Sequence, residues 1–197
     1  MATDIDAIVA NLGTFYDFGG KRVIHVGAGG GQLIGYAHRA GHVTAVDPDA
    51  QAIERLRERL TGELATKFTV IQGDFCEMRL TADVVLFEVC LHEIADPVGA
   101  LECAAKAAPD IVVIDHLPES EWSWYACETE KLEASWGAVE ARGVRRRADF
   151  QAQQRFRDHD ELLGKLGGLG EEAIRRMGKF KGQKDIVIPM PYGIALL

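Results

Sequence analysis

The chain of 197 residues has little of what staples, anchors or charges a protein for a single obvious purpose. Its four cysteines, Cys76, Cys90, Cys103 and Cys127, show neither C-x-x-C pairing nor metal-ligand spacing, so a disulfide framework and a zinc ribbon are excluded. They read as structural cysteines rather than as ligands for a thiophilic substrate such as arsenic. No apolar run approaches the roughly 20 residues needed to span a bilayer, and Asp4 and Asp6 stand where a secretory signal would be basic. A reduced, cytoplasmic setting is expected. Positive charge is scarce as well: Lys and Arg number 22 against 30 Asp and Glu, a net charge of −8. That balance opposes a large phosphate-binding surface, so nucleic acid is not an expected partner. The one basic concentration is Arg142-Gly143-Val144-Arg145-Arg146-Arg147. It reads either as a solvated segment balanced by the acidic stretch before it or as a docking point for an anionic group.

What is present is the composition of one compact domain over residues 1–197, with 47% hydrophobic residues and no internal repeat. A chain of this size buries roughly 70% of its unfolded surface and needs no staple. Short β-branched runs at 23–26, 43–46, 68–71, 84–87 and 111–114 alternate with helical patterns, which predicts βαβ units around a parallel sheet. Most of the runs are continuously apolar, as strands covered on both faces require. Helices are predicted over 32–40, behind an Asp49 cap, and over 97–108 after Pro97. The remainder has another rhythm. A segment over 1–20 is read as helical, and residues 117–157 as a helical lid or insertion. Within it Trp122, Tyr125, Leu132, Trp136 and Val139 predict one long amphipathic helix over 121–141. A short helix is expected over 160–166, then strands near 173–180 and 186–195 forming an antiparallel hairpin at the sheet edge.

Three punctuations in the first half carry chemistry. Gly27, Gly29 and Gly31 join the first strand to the helical pattern after it, where glycine lets backbone turn tightly and approach a ligand. The spacing is G-x-G-x-G; the dinucleotide fingerprint would need glycine where Gln32 stands. Asp47 ends the second strand, where a carboxylate can accept both hydroxyls of a ribose, or where Asp47-Pro48-Asp49 is simply a turn and helix cap. Asp74 and Phe75 follow the third strand, as an adenine-binding pair or an ordinary turn. With the segment from Ala82 through Glu88, Val89, Cys90, Leu91 and His92 to Asp96-Pro97, these motifs occur in order. Over roughly 20–116 the chain resembles the class I methyltransferases that use S-adenosylmethionine.

The resemblance implies a doubly wound, mostly parallel seven-stranded α/β sheet. It has an antiparallel C-terminal edge hairpin and a helical insertion after the fifth strand. It also implies that Gly27, Gly29 and Gly31 run beside the methionine part of the cofactor, Asp47 binds ribose, Asp74 and Phe75 meet adenine, and Glu88 and Val89 lie near the sulfonium end. One position departs from the family, which often has Asp or Glu two residues before the first glycine; here it is His25.

The expected reaction is methyl transfer to a small-molecule acceptor. An in-line displacement of this kind is driven largely by positioning and exclusion of water, with a base needed only when the acceptor carries a proton. His92 and His116, after the fourth and fifth strands, are the candidate catalytic residues or else structural caps. Trp122, Tyr125 and Tyr16 are candidate acceptor contacts. The aromatic helix could equally pack on the core or form a homodimer interface, and Phe15, Tyr16 and Phe18 could be core. No metal is expected. The alternatives are a catalytically silent cofactor-binding or scaffold protein of the same fold and, opposed by Gln32 and the terminal hairpin, a nicotinamide-dependent oxidoreductase.

Overall fold

A computed structural model describes residues 4–197. The opening helix α1 (Ile5–Phe15), capped by Asp4, occupies part of the segment expected to be helical over 1–20; residues 1–3 lie outside the described residues. Strands β1 (Arg22–Val26), β2 (His42–Asp47), β3 (Phe68–Gln72), β4 (Val84–Glu88) and β5 (Asp110–His116) come next. They are linked by a 3-10 turn at Ile34–His38, α2 (Ala50–Arg59), α3 (Glu63–Lys67) and α4 (Pro97–Ala107). Beyond them come α5 (Glu121–Tyr125), α6 (Thr129–Arg142), β6 (Arg146–Phe150), β7 (Gln153–Asp158), α7 (His159–Leu166), α8 (Glu171–Met177), β8 (Lys184–Pro189) and β9 (Tyr192–Leu196).

The main sheet has seven strands in the order β3-β2-β1-β4-β5-β9-β6, with β1 to β5 parallel and β9 antiparallel to both of its neighbours. Alternate residues feed opposite layers, as the pleat demands. Val23, Val84, Leu86, Val112 and Ile114 pack with Leu12, Phe18 and Tyr36, while Ile24, Val85, Phe87 and Val113 pack with Leu101, Leu132 and Trp136. Because a reversal of strand order lies between β1 and β4, the loops leaving their carboxyl ends diverge and open a crevice there.

The mostly parallel seven-stranded sheet with an antiparallel edge is as the resemblance implies, but different segments build that edge. Residues 173–180 are not a strand. Ala173, Met177 and Phe180 recur at helical spacing, Glu172 binds Arg175 and Arg176 within the same turn, and the segment is α8 followed by a 3-10 turn. The edge is instead β9 and β6. Arg147 there lies 4.4 Å over the Trp136 ring and 2.9 Å from Asp149, and Arg145 lies 2.7 Å from Asp110. The arginines of the basic run are exposed, Arg146 and Arg147 opening the edge strand, and Arg147 also lies 3.2 Å from Glu140 of the preceding helix, in keeping with the solvated-segment reading.

The expected long helix over 121–141 is two. Ser120 caps α5 by accepting the Ser123 N–H, and Cys127 sits at φ 59°, so the chain turns before α6. Within the region read as helical, residues 146–150 and 153–157 are strands. Likewise 32–40 holds only a 3-10 turn. Between β6 and β9, β7 and β8 form a separate two-stranded sheet. With α5, α7 and α8 it encloses its own apolar cluster of Trp122, Tyr125, Phe156, Leu162, Met177 and Ile188. The aromatic stripe is therefore buried inside the chain, in two cores, rather than presented as a subunit interface: Trp122, Tyr125, Leu132, Trp136 and Val139 are all buried.

Candidate functional site

The loop after β1 turns on Gly27, Gly29 and Gly31, at φ 66°, 50° and 72°, a region open to glycine at little cost and to other residues only with strain. A Cβ on Gly27 would collide with the Cys90 side chain, whose thiol donates to the Val26 carbonyl at 3.2 Å. Burial pushes that thiol's pKa well above its ordinary value, so Cys90 is a packing element. Asp47 is 7% exposed and clamps the loop: Gly29 N–H donates to Oδ2 and Asp49 N–H to Oδ1, each at 2.9 Å. Both turn-forming and ligand-facing roles are open to it, since each carboxylate oxygen retains a further acceptor position.

Two cavities open along the carboxyl edge of the sheet. The larger, about 730 Å³, is lined by Asp47, Asp74, Phe75, Cys90 and Ile94. The smaller, about 380 Å³, is lined by Gly27, Gly29, Glu88, Val89, His92 and His116, with Trp122 and Glu128 contributed by the second half of the chain. Glu93 belongs to both walls. Seven of the eight residues expected around a cofactor thus border one cavity or the other, the exception being Gly31. That glycine lies behind the loop, where a Cβ would press on Leu56 at 2.8 Å. Asp74 also caps the turn that carries Phe75, accepting the Cys76 N–H at 2.8 Å. Val89, at φ 48°, holds a conformation costly for a β-branched residue, fixed by its N–H donating to the Ile114 carbonyl.

The departure at His25 has a structural answer. His25 is fully buried, its Nε2 lies 2.7 Å from Glu88 Oε2, and the Tyr36 hydroxyl meets Nδ1 at 3.0 Å. An imidazole thus stands where the resembled family often has an acidic residue, ion-paired with the carboxylate of the neighbouring strand β4. Burial, then the Glu88 charge, raise the Tyr36 pKa, so its hydroxyl stays protonated.

His92 and His116 share the wall of the smaller cavity, ring centres 6.2 Å apart, and their environments drive them in opposite directions. Burial alone would lower the His92 pKa, but the Asp115 carboxylate at 2.9 Å, helped by Glu128 and Glu93, outweighs it and the net shift is upward. His116 lacks a compensating partner, and burial lowers its pKa to about 4, with Nδ1 buried and unpartnered. Asp115 is 1% exposed; its other oxygen accepts the His116 N–H at 2.8 Å. Burial also raises the Glu128 pKa. Sequence reasoning missed Asp115, Glu93, Glu128 and Gln154. The first two were signalled by adjacency, in Asp115-His116 and His92-Glu93, but Glu128 and Gln154 arrive from separate folding elements.

Two of the expected acceptor contacts are elsewhere. Tyr16 sits at the opposite, amino edge of the sheet, donating to Asp110 at 2.6 Å. Tyr125 is buried against Phe180, its ring centre 5.2 Å away, and does not line the cavity. Both were aromatic and near predicted helix ends, and both are consumed by packing. Trp122 alone reaches the site, stacked on Phe156 with ring centres 6.1 Å apart.

Residues 24–108 match the family model described as a methyltransferase domain. No curated protein sequence matches the chain. Among solved structures, one titled a putative methyltransferase from Bacillus halodurans aligns with a TM-score of 0.73 at 14% identity, covering 96% of this chain and 97% of that one. One titled a putative RNA methyltransferase from Pyrococcus horikoshii gives 0.60 at 21% identity, covering 98% and 82%. A SAM-dependent methyltransferase from Aquifex aeolicus gives 0.60 at 18% identity, covering 98% and 89%. Residues 24–108 are therefore similar to a methyltransferase domain, and the chain as a whole has the α/β fold of these methyltransferase structures.

Proposed function

We propose that the protein transfers a methyl group from S-adenosylmethionine to a small-molecule acceptor, with the cofactor lying along the glycine loop and the acceptor in the smaller cavity. The carrying observation is a pair of cavities along the carboxyl edge that share Glu93 as a wall, one lined by Asp47 and Asp74, the other by Gly27, Gly29, Glu88 and the two histidines. The residues fit such a cofactor. Space is open above Gly29, where a Cβ would meet nothing nearer than the Gly27 carbonyl at 3.8 Å. Asp47 offers acceptors to a ribose diol, Asp74 to an exocyclic amine, and Phe75 an apolar face to a base. Glu88, oriented by His25, offers a carboxylate to an ammonium.

When bound, the cofactor supplies an activated methyl group on a sulfonium. The chain's part is to orient and to exclude water. His116, uncharged at neutral pH, presents a ring nitrogen without a partner, and Gln154 presents a buried Oε1 likewise unpartnered. Both favour an acceptor bearing hydrogen-bonding groups. Trp122 closes the apolar side, and a cavity of about 380 Å³ suits a small organic molecule. Calorimetry with S-adenosylmethionine, S-adenosylhomocysteine and NAD, followed by transfer of a labelled methyl group across a panel of small molecules and RNA, tests the reading. Binding of either adenosyl ligand in preference to NAD and labelling of a small molecule are expected. Failure to bind either adenosyl ligand would overturn the cofactor, and labelling of RNA alone the acceptor class.

A further inference from the structure

We propose that His92, Glu93 and Glu128 bind one divalent metal ion, of the manganese or zinc type, at the wall of the smaller cavity. One ligand atom from each lies within 4.8 Å of the other two. His92 Nε2 is 3.4 Å from Glu93 Oε1 and 3.9 Å from Glu128 Oε2. Ligands bonded at ~2.0 to 2.2 Å around a metal stand about 3 to 3.6 Å apart, so a small rotation of the carboxylates closes the set. The same separations are too long for the charge-assisted hydrogen bonds of about 2.7 to 2.9 Å that would otherwise account for the cluster.

The supporting shell is already in place. His92 is 6% exposed, and its other nitrogen, Nδ1, meets the buried Asp115 at 2.9 Å. Since Asp115 is held in turn by the His116 N–H, the ring is fixed with Nε2 turned toward the two glutamates. A carboxylate behind a histidine in this way orients and strengthens a metal ligand. Glu128 stands immediately before α6, yet its side chain makes no capping hydrogen bond to that helix, which leaves its carboxylate directed at His92. Glu93 gives one oxygen to Lys131 at 2.7 Å and keeps the other beside His92.

Charge argues the same way. Asp115, Glu93 and Glu128 surround one imidazole, and among the described residues Lys131 is the lysine or arginine within salt-bridge distance of them. A dication would neutralise the remainder at a partly buried position where unpaired charge is costly. One nitrogen and two carboxylate oxygens suit manganese or zinc and leave coordination positions open toward the cavity. Resting on the methyl-transfer reading, this makes the acceptor a molecule with an oxygen donor that the ion can hold.

Manganese is the probe of choice, because it discriminates against the four thiols. Titration of the full chain with Mn2+, followed by electron paramagnetic resonance and calorimetry, should give one saturable site. Glu128→Gln and Asp115→Asn should each weaken it by about 10-fold or more. Glu93→Gln, at a half-exposed side chain that does not threaten folding, should do the same while circular dichroism stays unchanged. No saturable binding below about 1 mM, or equal binding by wild type, Glu93→Gln and Glu128→Gln, would overturn the site. Metal binding in a protein that transfers no methyl group would leave the site standing and remove the functional reading. Methyl transfer by a protein that binds no metal would do the reverse.

Discussion

Between Arg22 and His116 the chain builds its half of the crevice from strand ends and backbone, whereas residues 117–197 build theirs from side chains borne on α5, α6 and a second small sheet. In the first half, function depends on what is missing. Gly27 must lack a Cβ because Cys90 fills the space, and Gly29 must expose an N–H that Asp47 accepts. In the second half, function depends on what is delivered from a distance: Trp122 leans on Phe156, and Glu128 is turned to His92 by the break at Cys127. On the proposed reading, the first half holds the cofactor and the second selects the acceptor.

Substitutions separate the halves. The largest effect is expected at Gly27→Ala, where overpacking of about 1 to 3 kcal/mol adds to a left-handed conformation costing about 1 to 2. Affinity for S-adenosylhomocysteine should fall by about 100-fold by calorimetry; unchanged affinity would remove the glycine loop from the binding surface. Asp47→Ala should weaken the same binding by about 1.5 to 3 kcal/mol with the circular dichroism spectrum retained, because a charged acceptor is lost. A folded variant that binds as tightly as wild type would return Asp47 to its role of clamp alone. Trp122→Phe should act in the other half only. Methyl transfer should drop by about 5- to 10-fold through loss of acceptor positioning, with S-adenosylhomocysteine affinity within about twofold. Parallel loss of both would break the division.

Tyr16→Phe is the smallest and lies outside both halves of the crevice. It should leave binding and turnover unchanged and cost about 1 kcal/mol of stability at pH 7 in urea unfolding. Burial alone would raise the Asp110 pKa, but the Tyr16 hydroxyl and Arg145 outweigh it and hold the carboxyl below its ordinary value. A folded-state pKa below the unfolded one gives stability that is present above about pH 4 and lost as pH falls below it. The gap between Tyr16→Phe and wild type should therefore narrow from pH 7 to pH 3; a gap that widens would reject the assignment.

The five parallel strands, the glycine turns, Asp47 and Asp74 could be read in the sequence because each arises from contacts close along the chain. A continuous apolar run must be covered on both faces, and a glycine spacing serves a local turn. Tyr16, Tyr125 and residues 173–180 misled for the opposite reason. An aromatic side chain fits a core or a pocket equally well until its neighbours are known, and Tyr125 finds Phe180 while Tyr16 finds Asp110. The sequence by itself thus determined the parallel sheet and the loop at its edge, since local periodicity and backbone sterics are written within a few residues. Only the tertiary structure decided that His25 grips Glu88, that Arg146 to Phe150 close the sheet, and that Glu128 faces His92. Those pairings join residues far apart in the chain, and burial and electrostatics act on distance in space.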